Sequence, residues 1–193
     1  MCLIAFAINA SARWPLVIAA NRDEFVARPT LPLAAWASAS GQPIVSGRDL
    51  QAGGTWLGLT PGGRVAFLTN VREAQLQAAP RSRGELVTRW LEEDGDAAGF
   101  VAALRAEHGA YAGFNLVLGD FQRNTWTSLT NRSRAASGWH VQPLAPAAYR
   151  LSNAQLATAW AHTLGLQPLP PPSPPACNTE PSHAPPRAPT SPA

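Results

Sequence analysis

A chain of 193 residues with 46% hydrophobic and 14% charged residues is long enough for one packed domain and too apolar for a disordered linker. Its net charge of +3 is scattered, with only Arg81 and Arg83 clustered, so no nucleic-acid surface is expected. Two cysteines in unrelated contexts argue against a disulfide framework, and four histidines without ligand spacing argue against a structural zinc site; no cofactor is expected.

The opening Met1-Cys2-Leu3-Ile4-Ala5-Phe6-Ala7 is apolar but lacks a positive leader region, and a second apolar run follows it. It reads as strand rather than secretion signal. No apolar run reaches the roughly 18 residues a membrane span needs, so a cytoplasmic chain with no integral membrane segment is expected. Residues 2–8 and 15–20 predict a β-hairpin buried on both faces or nearly so. Residues 26–53 read as loop-rich, being punctuated by Pro29, Pro32, Gly41, Pro43, Gly47 and Gly53-Gly54. A second hairpin is predicted from residues 55–60 and 64–70, which flank the turn Pro61-Gly62-Gly63.

Two helices come next. Ser82-Arg83-Gly84-Glu85 reads as a capping box, with Ser82 as N-cap and Glu85 reaching back, ahead of an apolar face of Leu86, Trp90 and Leu91. Asp96 is placed to cap a second helix that turns Phe100, Val101 and Leu104 inward and stops at Gly109. Residues 114–120 and 125–129 predict a third hairpin, with shorter strands near 139–141 and 149–151. Strands, then helices, then strands make an α+β pattern with mainly antiparallel sheet. The composition changes near residue 165, and Pro168 to Ala193 carries 11 prolines in 26 residues. A domain over 1–165 and a Pro-rich, disordered or polyproline-like tail over 166–193 are expected.

The chemistry starts at Cys2. A small residue in second position favours removal of Met1, which leaves a thiol and a free α-amino group on one residue. The amine, with a reference pKa of about 7.7–8.0, can take the thiol proton and deliver it to a leaving group. Asn21-Arg22-Asp23-Glu24 ends the neighbouring strand, and in a hairpin that end lies beside Cys2. A cation there favours the thiolate, and a carboxylate can hold the ammonium form of the amine. Asn70 and Asn153 close later strands, where side-chain amides can donate to an oxyanion. Each feature also has a plain structural reading: a small core residue, a solvated charged turn, and strand-end or helix-cap asparagines.

Taken together, the ordered text resembles the NRDE-domain family, related to the transport and Golgi organisation protein 2 family. Met1-Cys2-Leu3-Ile4 and Ala20-Asn21-Arg22-Asp23-Glu24-Phe25 carry the resemblance, with Ala27-Arg28-Pro29-Thr30, Gly47-Arg48-Asp49 and Ala52-Gly53-Gly54-Thr55-Trp56-Leu57-Gly58. Leu68-Thr69-Asn70-Val71-Arg72, Ser82-Arg83-Gly84-Glu85-Leu86-Val87, Gly113-Phe114-Asn115-Leu116 and Leu151-Ser152-Asn153-Ala154 complete it. The resemblance implies an αββα sandwich of N-terminal nucleophile hydrolase type, similar to the choloylglycine hydrolase and penicillin V acylase group, which cut linear amides. It implies Cys2 as nucleophile, Arg22 and Asp23 as the groups that order it, and Asn70 and Asn153 as oxyanion donors. It equally implies a non-catalytic carrier, since eukaryotic members are linked to secretion, Golgi organisation and lipid or haem homeostasis; a thiolate such as that of Cys2 can ligate haem iron. After Asn153 the text departs from the family and passes into the Pro-rich tail. A truncated and inactive copy is therefore a third expectation.

Overall fold

A computed structural model describes residues 2–73, 79–107, 109–133 and 137–153. The first apolar run alternates as a half-buried strand must. In β1 (Leu3–Ile8), Ile4, Phe6 and Ile8 are buried while Leu3 turns outward. β2 (Leu16–Asn21) pairs with it antiparallel, Leu3 opposite Asn21 and Ile8 opposite Leu16. Val17 stands exposed on the outer side. The hairpin is thus buried on one face, not on both as its composition suggested.

Residues 26–53 also depart from expectation, because they hold a hairpin of β3 (Thr30–Ala37) and β4 (Pro43–Asp49). The breakers are tolerated by position. β3 is a sheet edge, and its register shifts between Leu31 and Ala34, so Pro32 removes no needed ladder donor. Pro43 is the first residue of β4. Gly47 makes room for an indole: a Cβ there would lie 2.9 Å from Trp56 Cη2.

β5 (Leu57–Leu59) and β6 (Arg64–Asn70) form the second predicted hairpin, with Gly63 at φ 88° in its turn. α1 (Gly84–Glu92) buries Leu86, Val87, Trp90 and Leu91, and α2 (Ala97–Ala106) buries Phe100, Val101 and Leu104. Asp96 caps α2 as predicted, its Oδ1 accepting from the Gly99 N–H at 2.8 Å. β7 (Phe114–Asp120), β8 (Thr125–Thr130), β9 (His140–Pro143) and β10 (Ala147–Ser152) follow.

Two antiparallel sheets result, one ordered β3-β4-β5-β6-β7-β8-β9 and the other β10-β1-β2. The helices cover one face of the larger sheet. Trp90 is their anchor, edge-on to Phe100 with ring centroids 5.5 Å apart and donating from Nε1 to the Gly119 carbonyl at 3.2 Å. The other face packs on the small sheet through Phe6, Phe67, Val117, Trp126 and Leu151. β7 lies between these two layers, which is why each of its residues is buried, the polar Asn115 and Asp120 included. Among the described residues no helix covers the outer face of the small sheet, so the layers run helix, sheet, sheet. The predicted Pro-rich tail lies outside the described residues. No helix among them is long and apolar enough to cross a membrane.

Four carboxylates are held below their usual range, and this sets a pH dependence. Burial pushes Asp120 upward, but the Arg123 backbone N–H at 3.0 Å, its guanidinium at 2.6 Å and the charge of Arg64 outweigh it. Asp49, Glu73 and Glu107 are lowered in the same direction by arginine partners. A carboxylate with a depressed folded pKa stabilises the fold above its unfolded pKa and loses that contribution as pH falls through the folded value. Urea midpoints should therefore hold steady down to about pH 5 and fall below about pH 4, near the unfolded values of these groups. Asp120→Asn should flatten that fall; an identical acid limb in the variant would show that Asp120 does not contribute to it.

Candidate functional site

The β1–β2 register builds the site. With Leu3 opposite Asn21, the chain leaving β2 passes directly beside Cys2. Asn21 Oδ1 accepts from the Leu3 N–H at 2.9 Å and ties the two strand ends together. The Asp23 N–H donates to Cys2 Sγ at 3.4 Å, and the thiol faces the Asp23 carbonyl at 3.8 Å. The expected proximity of Cys2 to the charged strand end is thus present, made through backbone. Cys2 opens on a cavity of about 110 Å³ shared with Arg22, Asp23, Trp56, Asn70 and Arg83.

The charges around it are tightly paired. Arg22 stacks over the Trp56 ring at 4.3 Å and reaches Glu24 at 3.3 Å. Arg28 grips Asp49 through Nε at 3.0 Å and Nη2 at 2.7 Å, and Asp49 also accepts from the Gln51 and Ala52 N–H groups. Two charged segments far apart in sequence, 21–28 and 47–52, thereby form one rim. Burial pushes the Cys2 thiol above its ordinary value; the terminal ammonium and the Arg22 and Arg83 charges pull it down without cancelling that effect. At neutral pH the resting thiol keeps its proton.

Asn70, at the end of β6, lines the cavity. Asn153 stands one step behind: its Nδ2 donates to the Asn70 carbonyl at 2.8 Å, while its own carbonyl accepts from the Arg72 N–H at 3.0 Å. Asn153 Oδ1 is buried with no hydrogen-bond partner among the described residues. Next to it, Thr69 Oγ1 donates to the Ser152 carbonyl at 2.7 Å, and Asn115 Nδ2 donates to that same carbonyl at 3.1 Å and to Thr69 Oγ1 at 3.3 Å. These bonds stitch the small sheet to the large one beside the cavity. Thr69 and Asn115 were not singled out from sequence. The available signal was a lone asparagine inside an apolar strand, which must find partners when buried.

Arg83 was also missed, because Ser82-Arg83-Gly84-Glu85 reads as a capping box. That reading is corrected by the structure. Ser82 Oγ reaches only the Gly84 N–H at 3.3 Å, the helix has Arg83 at its N-cap with no side-chain cap, and Glu85 pairs with Arg81 instead. The segment is shaped by a close crossing: a Cβ on Gly54 would lie 2.5 Å from the Gly84 carbonyl carbon, and the Thr55 N–H donates to the Gly84 carbonyl at 3.2 Å. The Gly-rich approach to β5 thus clamps the start of α1 and brings Arg83 into the cavity. Its Nη1 donates to the Gly113 carbonyl at 3.1 Å. Burial holds this guanidinium below its ordinary value, offset in part by Glu73 and Glu24.

A second, more open groove of about 540 Å³ adjoins the cavity and shares Arg22 and Trp56 with it. Leu31, Pro32, Leu33 and Leu57 make it apolar. Among the described residues no group of three or more histidine, cysteine, aspartate or glutamate side chains converges to hold a metal ion.

Comparison with known proteins bears on this arrangement. The family model described as Transport and Golgi organisation 2 matches residues 1–167. The Transport and Golgi organization protein 2 homolog of Bos taurus is 36% identical over 167 residues, covering 83% of this chain and 59% of that protein. The Homo sapiens homolog is 35% identical over the same coverage, and the Drosophila melanogaster protein is 30% identical over 61% of this chain and 45% of its own length. The chain thus spans less than two thirds of the curated relatives it matches. A solved structure, the Caenorhabditis elegans N-acylethanolamine-hydrolyzing acid amidase ortholog, superposes with a TM-score of 0.50 at 16% identity, covering 80% of this chain and 70% of that one. That likeness shows the fold, which is of N-terminal nucleophile hydrolase type.

Proposed function

The chain belongs to the Transport and Golgi organisation 2 family, and we propose that it is an N-terminal-cysteine hydrolase of a linear amide or related acyl compound. The observation that supports this most is Cys2 held by the Asp23 N–H at the mouth of a cavity that Asn70 also lines. Once Met1 is removed, the α-amino group of Cys2 takes the thiol proton. Sulfur attacks the acyl carbon, and negative charge gathers on the carbonyl oxygen, where the Asn70 amide stabilises it. Asn153 acts through Asn70, holding its backbone in place. The ammonium then protonates the leaving amine, and water hydrolyses the thioester by the reverse relay. Arg22 supplies positive charge beside the thiolate, and Asp23 holds the ammonium. The groove of Leu31, Leu33 and Trp56 takes an apolar part of the substrate.

Intact mass before and after thiol alkylation tests the premise. A mass lacking Met1, with Cys2 alkylated faster than Cys177, is the expected result. The ammonium then beside the sulfur should lower the pH midpoint of Cys2 alkylation relative to protein that retains Met1. Retained Met1 in the active preparation would overturn this mechanism, because Cys2 would lack its own base.

A second reading, suggested by the relatives' names, is a non-catalytic carrier in transport, with the open apolar groove taking a lipid or haem. Haem titration of wild type and Cys2→Ala separates the two. A spectral shift lost in the variant supports thiolate ligation, and no shift in either argues against it.

A further inference from the structure

We propose that Arg83 is the specificity residue of the Cys2 cavity and reads an anionic group, carboxylate or phosphate, lying a few bonds from the scissile carbonyl of the substrate. This rests on the hydrolase reading of the same cavity. Three arginines line the cavity: Arg22, Arg28 and Arg83. Arg28 is committed to Asp49 at 2.7 Å and Arg22 to Glu24 at 3.3 Å. Arg83 differs. Among the described residues it forms no ion pair, and it donates to one neutral carbonyl, that of Gly113 at 3.1 Å.

The carboxylates that could neutralise it are committed elsewhere. Glu73 is 2.6 Å from Arg132 and accepts from the Gly113 N–H at 3.1 Å. Glu24 serves Arg22 and Arg28, and Asp49 serves Arg28 and two backbone donors. Asp23 is not free either. Arg83 is partly buried in the cavity lining, and the guanidinium donors that the Gly113 carbonyl leaves unused form a planar fork that suits carboxylate or phosphate. Arg83 and Cys2 share a cavity of only about 110 Å³. A ligand reaching both therefore has its anion close to the reacting carbon.

The test uses two reagents of nearly equal shape, iodoacetate and iodoacetamide, on the single thiol of a Cys177→Ser background. The ratio of their rates at Cys2 cancels any change in thiol pKa. Arg83→Gln should lower the iodoacetate to iodoacetamide ratio about tenfold, the loss of one charge-assisted contact. Arg83→Lys should keep most of the ratio, and it serves as the readout if the Gln variant does not melt cooperatively. Arg13→Gln, in the β1–β2 turn at the other end of the hairpin, should leave it unchanged. An unchanged ratio in Arg83→Gln, or an equal fall in Arg13→Gln, overturns the proposal.

Protection of Cys2 from iodoacetamide by acetate or by inorganic phosphate identifies which anion is read, and protection by neither counts against the site. None of these readouts needs turnover. A ratio that depends on Arg83 in a protein that cleaves nothing would keep the anion site and sink the hydrolase reading. Hydrolysis of an amide that carries a carboxylate or phosphate near its scissile carbonyl, with kcat/KM unaltered in Arg83→Gln, would do the opposite.

Discussion

Cys2→Ala is expected to lower kcat for every substrate the wild type cleaves by roughly 10⁴-fold or more, the scale seen when a covalent nucleophile is removed. The change is local. Cys2 is only partly buried, and Ala keeps the β1 backbone that pairs with Asn21, so the melting temperature should hardly move. Binding should also survive, because the groove of Leu31, Leu33 and Trp56 is untouched. The informative result is therefore a variant that binds and does not turn over. Wild-type hydrolysis in Cys2→Ala would show that the thiol is not the nucleophile and would overturn this mechanism.

Gly54→Ala is the second large effect. The new methyl would meet the Gly84 backbone at 2.5 Å, and neither the Gly-rich approach to β5 nor the start of α1 can yield without breaking the Thr55 to Gly84 hydrogen bond. Overpacking against backbone costs about 1–3 kcal/mol and occasionally more, so a lowered urea midpoint or outright failure to fold is expected. Gly53→Ala is the matching control. Nothing lies within 4 Å of its Cβ position, but its φ of +79° strains any L side chain, a smaller cost of about 1–2 kcal/mol. If the two variants melt alike, close approach is not what position 54 requires. Because the clamp positions Arg83, a folded Gly54→Ala should also shift the alkylation ratio at Cys2.

The contrast between Ser82 and Asp96 shows what local text can reveal. Both precede an amphipathic run and both read as helix caps. Asp96 caps, because its helix end faces solvent and only local bonding decides its conformation. Ser82 does not, because the Gly54–Gly84 crossing sets the chain path there and Arg81 captures Glu85. Residues 26–53 make the same point. Their prolines break a central strand but not an edge strand with a shifted register, and no local pattern says which strand will be the edge.

The amino-acid order by itself determined the hairpins at either end of the domain, the inward faces of both helices, the family resemblance and the placing of Cys2 beside Arg22-Asp23. These depend on periodicity, turn residues and contacts between neighbouring strands, all of which act over short separations. Only the tertiary structure decided that Asn153 stands behind Asn70, that Thr69 and Asn115 join the two sheets, and that Arg83 enters the cavity with no carboxylate partner among the described residues. Those contacts join segments dozens of residues apart. They arise because packing two sheets and a helical layer leaves buried donors and acceptors that must be satisfied by whatever the fold brings near.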